Sequence, residues 1–233
     1  MPGAVVLFSR RPDGNMSLVY ADTSSSLDNR KRFLRAAGID YRGLVCAAQV
    51  HGDGVVRVGE ADRGRGALEF AGSLPQADAL VTDRPGLPIA VFSADCLSVL
   101  IYDPRHPAVA AVHAGRRSTF GNIAQKTVRA MQRHFDSDPR ALSVWFGSAI
   151  RVCCYRVQSD AERLHPEYLC KRGQETYVDL VRANRDQLLA SGVPEANIVD
   201  PGSCTVCARD MFFSYRLEGD AAGRMISVIM IRE

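Results

Sequence analysis

His51, Cys96 and His113 each stand where an apolar run of strand length ends. Val45-Cys46-Ala47-Ala48-Gln49-Val50 leads into His51-Gly52, and Ile89-Ala90-Val91-Phe92-Ser93-Ala94-Asp95 leads into Cys96. Ala108-Val109-Ala110-Ala111-Val112 leads into His113-Ala114-Gly115. Strand ends around a sheet are where distant segments can converge on one point. Two imidazoles and a thiolate suit zinc and leave a fourth position for water or substrate, the layout of a catalytic rather than a closed structural site. Such an ion lowers the pKa of a bound water towards ~7. The plainer reading is two hydrogen-bonded strand-end histidines and one buried small cysteine; three coincident endings weigh against it. Copper is the rival metal, because His2Cys with a weak axial Met is a copper pattern. Such sites gather Cys, His and Met in one short loop, and this chain has none.

Ala114-Gly115-Arg116-Arg117-Ser118-Thr119-Phe120-Gly121 follows the third ligand. A glycine turn, two guanidinium groups and Ser/Thr at a helix start could hold an anion. Equally, the arginines could be solvated and Thr119 a plain cap. Cys204-Thr205-Val206-Cys207 is a lone CxxC, and the vicinal Cys153-Cys154 is an awkward second pair for a zinc knuckle. Packing is therefore the expectation for these cysteines. His106, His134 and His165 read as exposed, and Phe212-Phe213-Ser214-Tyr215-Arg216 as a packed aromatic strand in which Arg216 alone could touch a ligand.

The elements that must position these residues follow from pattern. Strands are expected at Ala4–Phe8, Gly43–Val50, Ala79–Thr82, Pro88–Phe92, Val99–Tyr102, Ala108–Val112, Leu142–Ile150 and Met225–Ile231. Helices are expected from Ser26 to Gly38, Phe120 to Phe135 and Glu175 to Ser191, and Ser159-x-x-Glu162 fits a capping box before Pro166. Arg57–Ser73 is polar and Gly-rich, a mobile surface loop by composition. Strands and helices mix without strict βαβ alternation, which points to α+β or a mixed-sheet α/β class.

Composition sets the outer bounds. The 233 residues are 46 % hydrophobic and 24 % charged, an ordinary globular balance. The net charge is +3, and the 26 arginines are scattered rather than striped, so no nucleic-acid partner is indicated. No run approaches the ~20 apolar residues of a membrane span. The short first apolar stretch, followed by Arg10 and Arg11, is no signal-peptide core, so a cytoplasmic chain with reduced thiols is expected.

Gln49-Val50-His51-Gly52, Ala77-Asp78-Ala79-Leu80-Val81-Thr82-Asp83, Ala94-Asp95-Cys96, Ala111-Val112-His113-Ala114-Gly115, Cys154-Tyr155 and Phe212-Phe213-Ser214-Tyr215-Arg216 occur in order. Together they resemble the laccase-domain family, also called multicopper polyphenol oxidase-like or purine nucleoside phosphorylase-like, over about Phe8 to Ile231. The resemblance implies one α/β/β/α layered domain with mixed sheets spanning 1–233, and zinc at the positions of His51, Cys96 and His113. It also implies phosphorolysis of adenosine, inosine and methylthioadenosine, with adenosine deamination as a second activity. On that reading Arg117 and Arg11 orient the phosphate, and Asp95 orients a ligand or moves a proton. Gln49 and Asp78 join Arg11 and Arg117 as substrate-binding positions. Editing of a peptidoglycan precursor at the same metal and copper-dependent phenol oxidation are alternatives the family brings with it, and a non-catalytic zinc-binding descendant is a third, motivated by the family tryptophan and glutamate that this chain lacks.

Three departures touch the expected pocket. The family's His-Ala-Gly-Trp-Arg-Gly reads His113-Ala114-Gly115-Arg116-Arg117-Ser118 here, keeping Arg117 but replacing the tryptophan and last glycine. Cys-Tyr-Glu-Val becomes Cys154-Tyr155-Arg156-Val157. An N-terminal stretch shortens to about Ser17–Asn29, as if one pocket wall had been rebuilt.

Overall fold

The computed structural model describes residues 3–19, 22–158 and 165–232. In chain order the strands are β1 Ala4–Phe8, β2 Val45–Cys46, β3 Val55–Arg57, β4 Ala79–Thr82, β5 Ile89–Ser93, β6 Leu97–Asp103 and β7 Ala108–Ala114. They continue with β8 Ser143–Phe146, β9 Arg156–Val157, β10 Leu169–Arg172, β11 Glu175–Val178, β12 Ile198–Val199 and β13 Met225–Ile231. The α-helices are α1 Thr23–Arg35, α2 Arg116–Phe120, α3 Ile123–Phe135, α4 Leu180–Ala190 and α5 Tyr215–Glu218.

Two mixed sheets carry the fold, with strand orders β1-β13-β5-β2 and β12-β8-β6-β7-β4-β3, and a small β10-β11-β9 sheet lies apart. Every residue of β6 and β7 is buried, which is why their stretches Val99–Tyr102 and Ala108–Val112 read as unbroken apolar runs. Alternation along the strands sorts their side chains into three cores. Leu100, Val109, Ala111, Ile89, Val91 and Ile229 fill the space between the two sheets. Val99, Ile101, Ala110 and Val112 face the other way, onto Ile123, Val128 and Met131 of α3 and Leu188 of α4. On the far side, Val5, Ala90, Ile226 and Val228 meet Leu34 of α1. The result is the expected α/β/β/α layering with multiple mixed sheets.

Boundaries differ from the sequence reading where side chains compete with periodicity. Helix α1 starts before Ser26, because the Asp22 carboxylate accepts from the Ser24 and Ser25 amides. The helix expected over Phe120–Phe135 is two helices, broken at Asn122 in the left-handed region (φ 62). Glu175–Val178, expected helical, pairs as β11 instead, and Asp179 caps α4 by accepting from Arg182 N. Only Val45–Cys46 of the Gly43–Val50 run is strand. Phe212 and Phe213 lie in no strand, and α5 begins at Tyr215. The Ser159–Glu162 capping box falls outside the described residues. The 57–73 segment is not a free loop. Buried Arg30 reaches it from α1 and donates to the Gly66 and Ala67 carbonyls at 3.1 and 2.7 Å. No helix among the described residues is long and apolar enough to cross a membrane.

Candidate metal centre and its cavity

The fold brings the three expected ligands together. One donor atom from each of His51, Cys96 and His113 lies within 4.8 Å of the others. They do not come from three strand ends of one sheet. His113 sits inside β7 of the six-stranded sheet, Cys96 occupies the turn between β5 and β6, and His51 lies in a loop beyond β2. The two imidazoles meet edge to face, with centroids 4.8 Å apart.

Asp78 organises this triangle. One carboxylate oxygen accepts from His51 N at 3.0 Å and pairs with His113 Nδ1 at 2.7 Å. The other accepts from Val50 N at 3.1 Å and Gly52 N at 2.7 Å. Wrapping three consecutive amides round one carboxylate turns the chain back on itself, and His51 takes φ 58 to do so. With Nδ1 engaged, His113 presents Nε2 to the site, the arrangement in which a carboxylate fixes the tautomer of a ligating histidine. Burial would raise the Asp78 pKa, but the His113 hydrogen bond and charge and the backbone amides hold it below the usual carboxylate range. Asp78, expected as a substrate-binding position, is engaged by four protein donors. It is fully buried, and both its oxygens are committed to the ligand loop.

Cys96 is held from its neighbour. Asp95 has φ 87, with Oδ1 accepting from Thr205 Oγ1 and Oδ2 from Arg216 N, each at 2.6 Å. Both oxygens of Asp95, expected as a catalytic position, are thus engaged by protein donors beside the Cys96 turn. Burial would push the Cys96 thiol up, but His113 and His51 bring it down to about 6. Burial likewise opposes charge on His113, yet Cys96 and Asp78 raise it to about 9. The two groups thus favour each other's charged forms, the thiolate on Cys96 and the imidazolium on His113. A Cβ on Gly115 would come 2.8 Å from His51 Cδ2 and 3.1 Å from Cys96 Sγ, so glycine keeps the space among the donors open. The donor set fits one metal ion with borderline-soft preference.

The triangle forms part of the wall of a cavity of about 700 Å³. Gln49 lines it, but its amide is committed to Phe92, donating to the carbonyl at 2.8 Å and accepting from the amide at 2.7 Å. Arg117 lines it too, with no hydrogen bond or ion pair from its guanidinium among the described residues, and Arg116 stands next to it. Arg11, expected beside Arg117, is not among the residues lining the cavity, and its guanidinium pairs with Glu218 and the Phe212 carbonyl over the Phe213 ring. Arg156, the cation that replaces the family's glutamate, pairs with exposed Glu175 and adds no charge to the cavity.

Sequence reasoning missed Tyr155, Phe92 and Phe70 as cavity walls and found Arg216 only as a suspicion. The Tyr155 hydroxyl is pushed up by burial and by the Cys96 charge. The packing expectation for the CxxC is also corrected. Cys204 is buried, but Cys153 and Cys207 are exposed, and the sulfurs of Cys153, Cys154, Cys204 and Cys207 lie within 4.8 Å of one another.

Residues 11–232 match the family described as multi-copper polyphenol oxidoreductase laccase. Purine nucleoside phosphorylase YlmD of Geobacillus stearothermophilus is 37 % identical over 94 % of this chain and 84 % of its own length. Adenosine deaminase RL5, from an unknown prokaryotic organism, is 33 % identical over 89 % of this chain and 82 % of its own. The crystal structure of YlmD from Geobacillus stearothermophilus superposes with a TM-score of 0.93, covering 99 % of this chain and 93 % of that one at 34 % identity. The chain belongs to this laccase-like family, whose members similar to it bear the names of nucleoside-processing enzymes.

Proposed function

We propose that the protein is a zinc-dependent purine nucleoside phosphorylase acting on adenosine, inosine and methylthioadenosine, with adenosine deamination as a second activity. The observation that carries this reading is a guanidinium, Arg117, with no partner among the described residues, lining the same cavity as the His51–Cys96–His113 triangle. A cavity of about 700 Å³ has room for a nucleoside and an anion, within the ~300–1,000 Å³ usual for small-molecule sites. The names of similar relatives support the same chemistry.

His51, Cys96 and His113 would hold the zinc, which when bound supplies Lewis acidity beside the substrate. Asp78 keeps His113 in the tautomer that offers Nε2. Arg117 and Arg116 bind and orient the hydrogen phosphate dianion, against which guanidinium donors pair in bidentate fashion. Phe92 and Tyr155 offer aromatic walls for the purine. A phosphate oxygen forms a bond to C1′ as the C1′–N9 bond breaks, and the electron pair leaves with the purine. The phosphate loses one proton and the purine gains one, so the exchange balances. Tyr155, kept protonated by its surroundings, can donate a hydrogen bond to the base.

Inosine with zinc-loaded protein tests the proposal: hypoxanthine should appear only when inorganic phosphate is added. Hypoxanthine release at the same rate without phosphate, or none with about one zinc bound at the triangle, rejects phosphorolysis. Multicopper phenol oxidation finds less support, because His106, His134 and His165 all lie outside the cavity wall and leave one His2Cys group there.

A further inference from the structure

A second group of thiols lies apart from this triangle. Cys153 and Cys154 sit in the turn that leads into β9, and Cys204 and Cys207 follow β12. The parallel bridge between Ala149 and Cys204 draws the two segments together. Cys207 Sγ lies 3.7 Å from Cys153 Sγ and 3.5 Å from Cys154 Sγ. All four are free cysteines, and all four sulfurs fall within 4.8 Å of one another. Four sulfurs ~2.3 Å from a central zinc form a tetrahedron with edges of about 3.8 Å, so the thiols stand close to the spacing of a closed four-sulfur site.

Packing does not account for this grouping, since Cys153 and Cys207 are exposed.

We propose that Cys153, Cys154, Cys204 and Cys207 hold a second, structural metal ion, a thiophilic dication of the zinc type, that braces the wall of the cavity. Thr205, between two of the ligands, donates to Asp95 Oδ1, and Asp95 Oδ2 accepts from Arg216 N. The Arg216 guanidinium returns to the Arg156 carbonyl at 2.9 Å and the Cys154 carbonyl at 3.5 Å. An ion at the four sulfurs would thus tie together the segments that carry Tyr155, Arg216 and the support of Cys96. The site stands on its own geometry and does not rest on the proposed reaction.

Metal content of the full-length protein tests it, with zinc and then cobalt(II) as the probe, in wild type, Cys96→Ala and Cys207→Ser. Wild type should hold about two ions per chain and each variant about one. Cobalt in Cys96→Ala should show the thiolate charge-transfer intensity of four sulfurs, and cobalt in Cys207→Ser that of one. Should Cys207→Ser fail to fold, Cys96→Ala alone decides the matter. Metal-free Cys96→Ala after reduction and zinc addition overturns the proposal. So does a disulfide to Cys207, seen as a loss of two hydrogens by mass, in protein prepared with zinc and reductant. Two ions per chain without phosphorolysis would reject the reaction proposed above and leave this site standing.

Discussion

Replacing Asp78 by asparagine changes one oxygen to an amide nitrogen and removes one charge, at a site where four donors converge. Val50 N and Gly52 N face one carboxylate oxygen, and His51 N and His113 Nδ1 face the other. The asparagine oxygen can serve only one of these pairs. If it serves Val50 and Gly52, its NH2 group confronts the His51 amide. His113 must then accept at Nδ1 and carry its proton on Nε2, towards the metal. If it serves His51 and His113, two backbone amides lose their acceptor. A hydrogen bond to a charged group is worth about 1.5–3 kcal/mol, so losing one or two of them destabilises the metal-free protein by about 2–5 kcal/mol. Metal affinity should fall ~10–100-fold, the usual cost of losing the partner of a ligating histidine. Urea unfolding of metal-free protein and chelator competition for zinc read the two effects separately. An Asp78→Asn protein within about 0.5 kcal/mol of wild type, with unchanged zinc affinity, would refute the role assigned to this carboxylate.

Gly115→Ala should abolish zinc at the triangle while leaving far-ultraviolet circular dichroism unchanged, because its Cβ would lie 2.8 Å from His51 Cδ2 and 3.1 Å from Cys96 Sγ. In metal-free protein, alkylation of Cys96, followed on its peptide by mass spectrometry, should rise with pH about a midpoint near 6, because the two histidines favour the thiolate. Zinc should protect Cys96, and a midpoint in the ordinary thiol range would contradict the imidazolium–thiolate pairing. Arg117→Ala should lower kcat/KM for phosphate ~10–100-fold, the loss of one charge-assisted contact, and leave adenosine deamination within about twofold. Equal losses in both activities would show that Arg117 does not serve the anion.

Much of the centre is legible in the sequence because strand-forming runs announce their own ends. Ala79–Thr82 and Met225–Ile231 are strands with the bounds their composition indicates, and His113 follows directly from the apolar run of β7. The partners of Asp78 are not legible locally, because they stand 26 to 35 residues away, at Gly52 and His113. The partner of Arg11, Glu218, stands 207 residues on and is equally invisible to local pattern. The four-cysteine group is hidden for the same reason: Cys153 and Cys207 stand 54 residues apart and are drawn together by long-range contacts such as the Ala149–Cys204 bridge and the Arg151–Asp200 pair. Helix ends were lost to single side chains and one backbone angle, as at Asp22, Asp179 and Asn122. Local pattern identifies elements well, but a carboxylate's partners are set by tertiary pairing.

Anomalous diffraction at the zinc absorption edge, from crystals grown with zinc, tests the central claim most directly. The account predicts a peak ~2.0–2.3 Å from a nitrogen of His51, Nε2 of His113 and Sγ of Cys96. A map with zinc only at the four cysteines, or with no peak among these three residues, would contradict it.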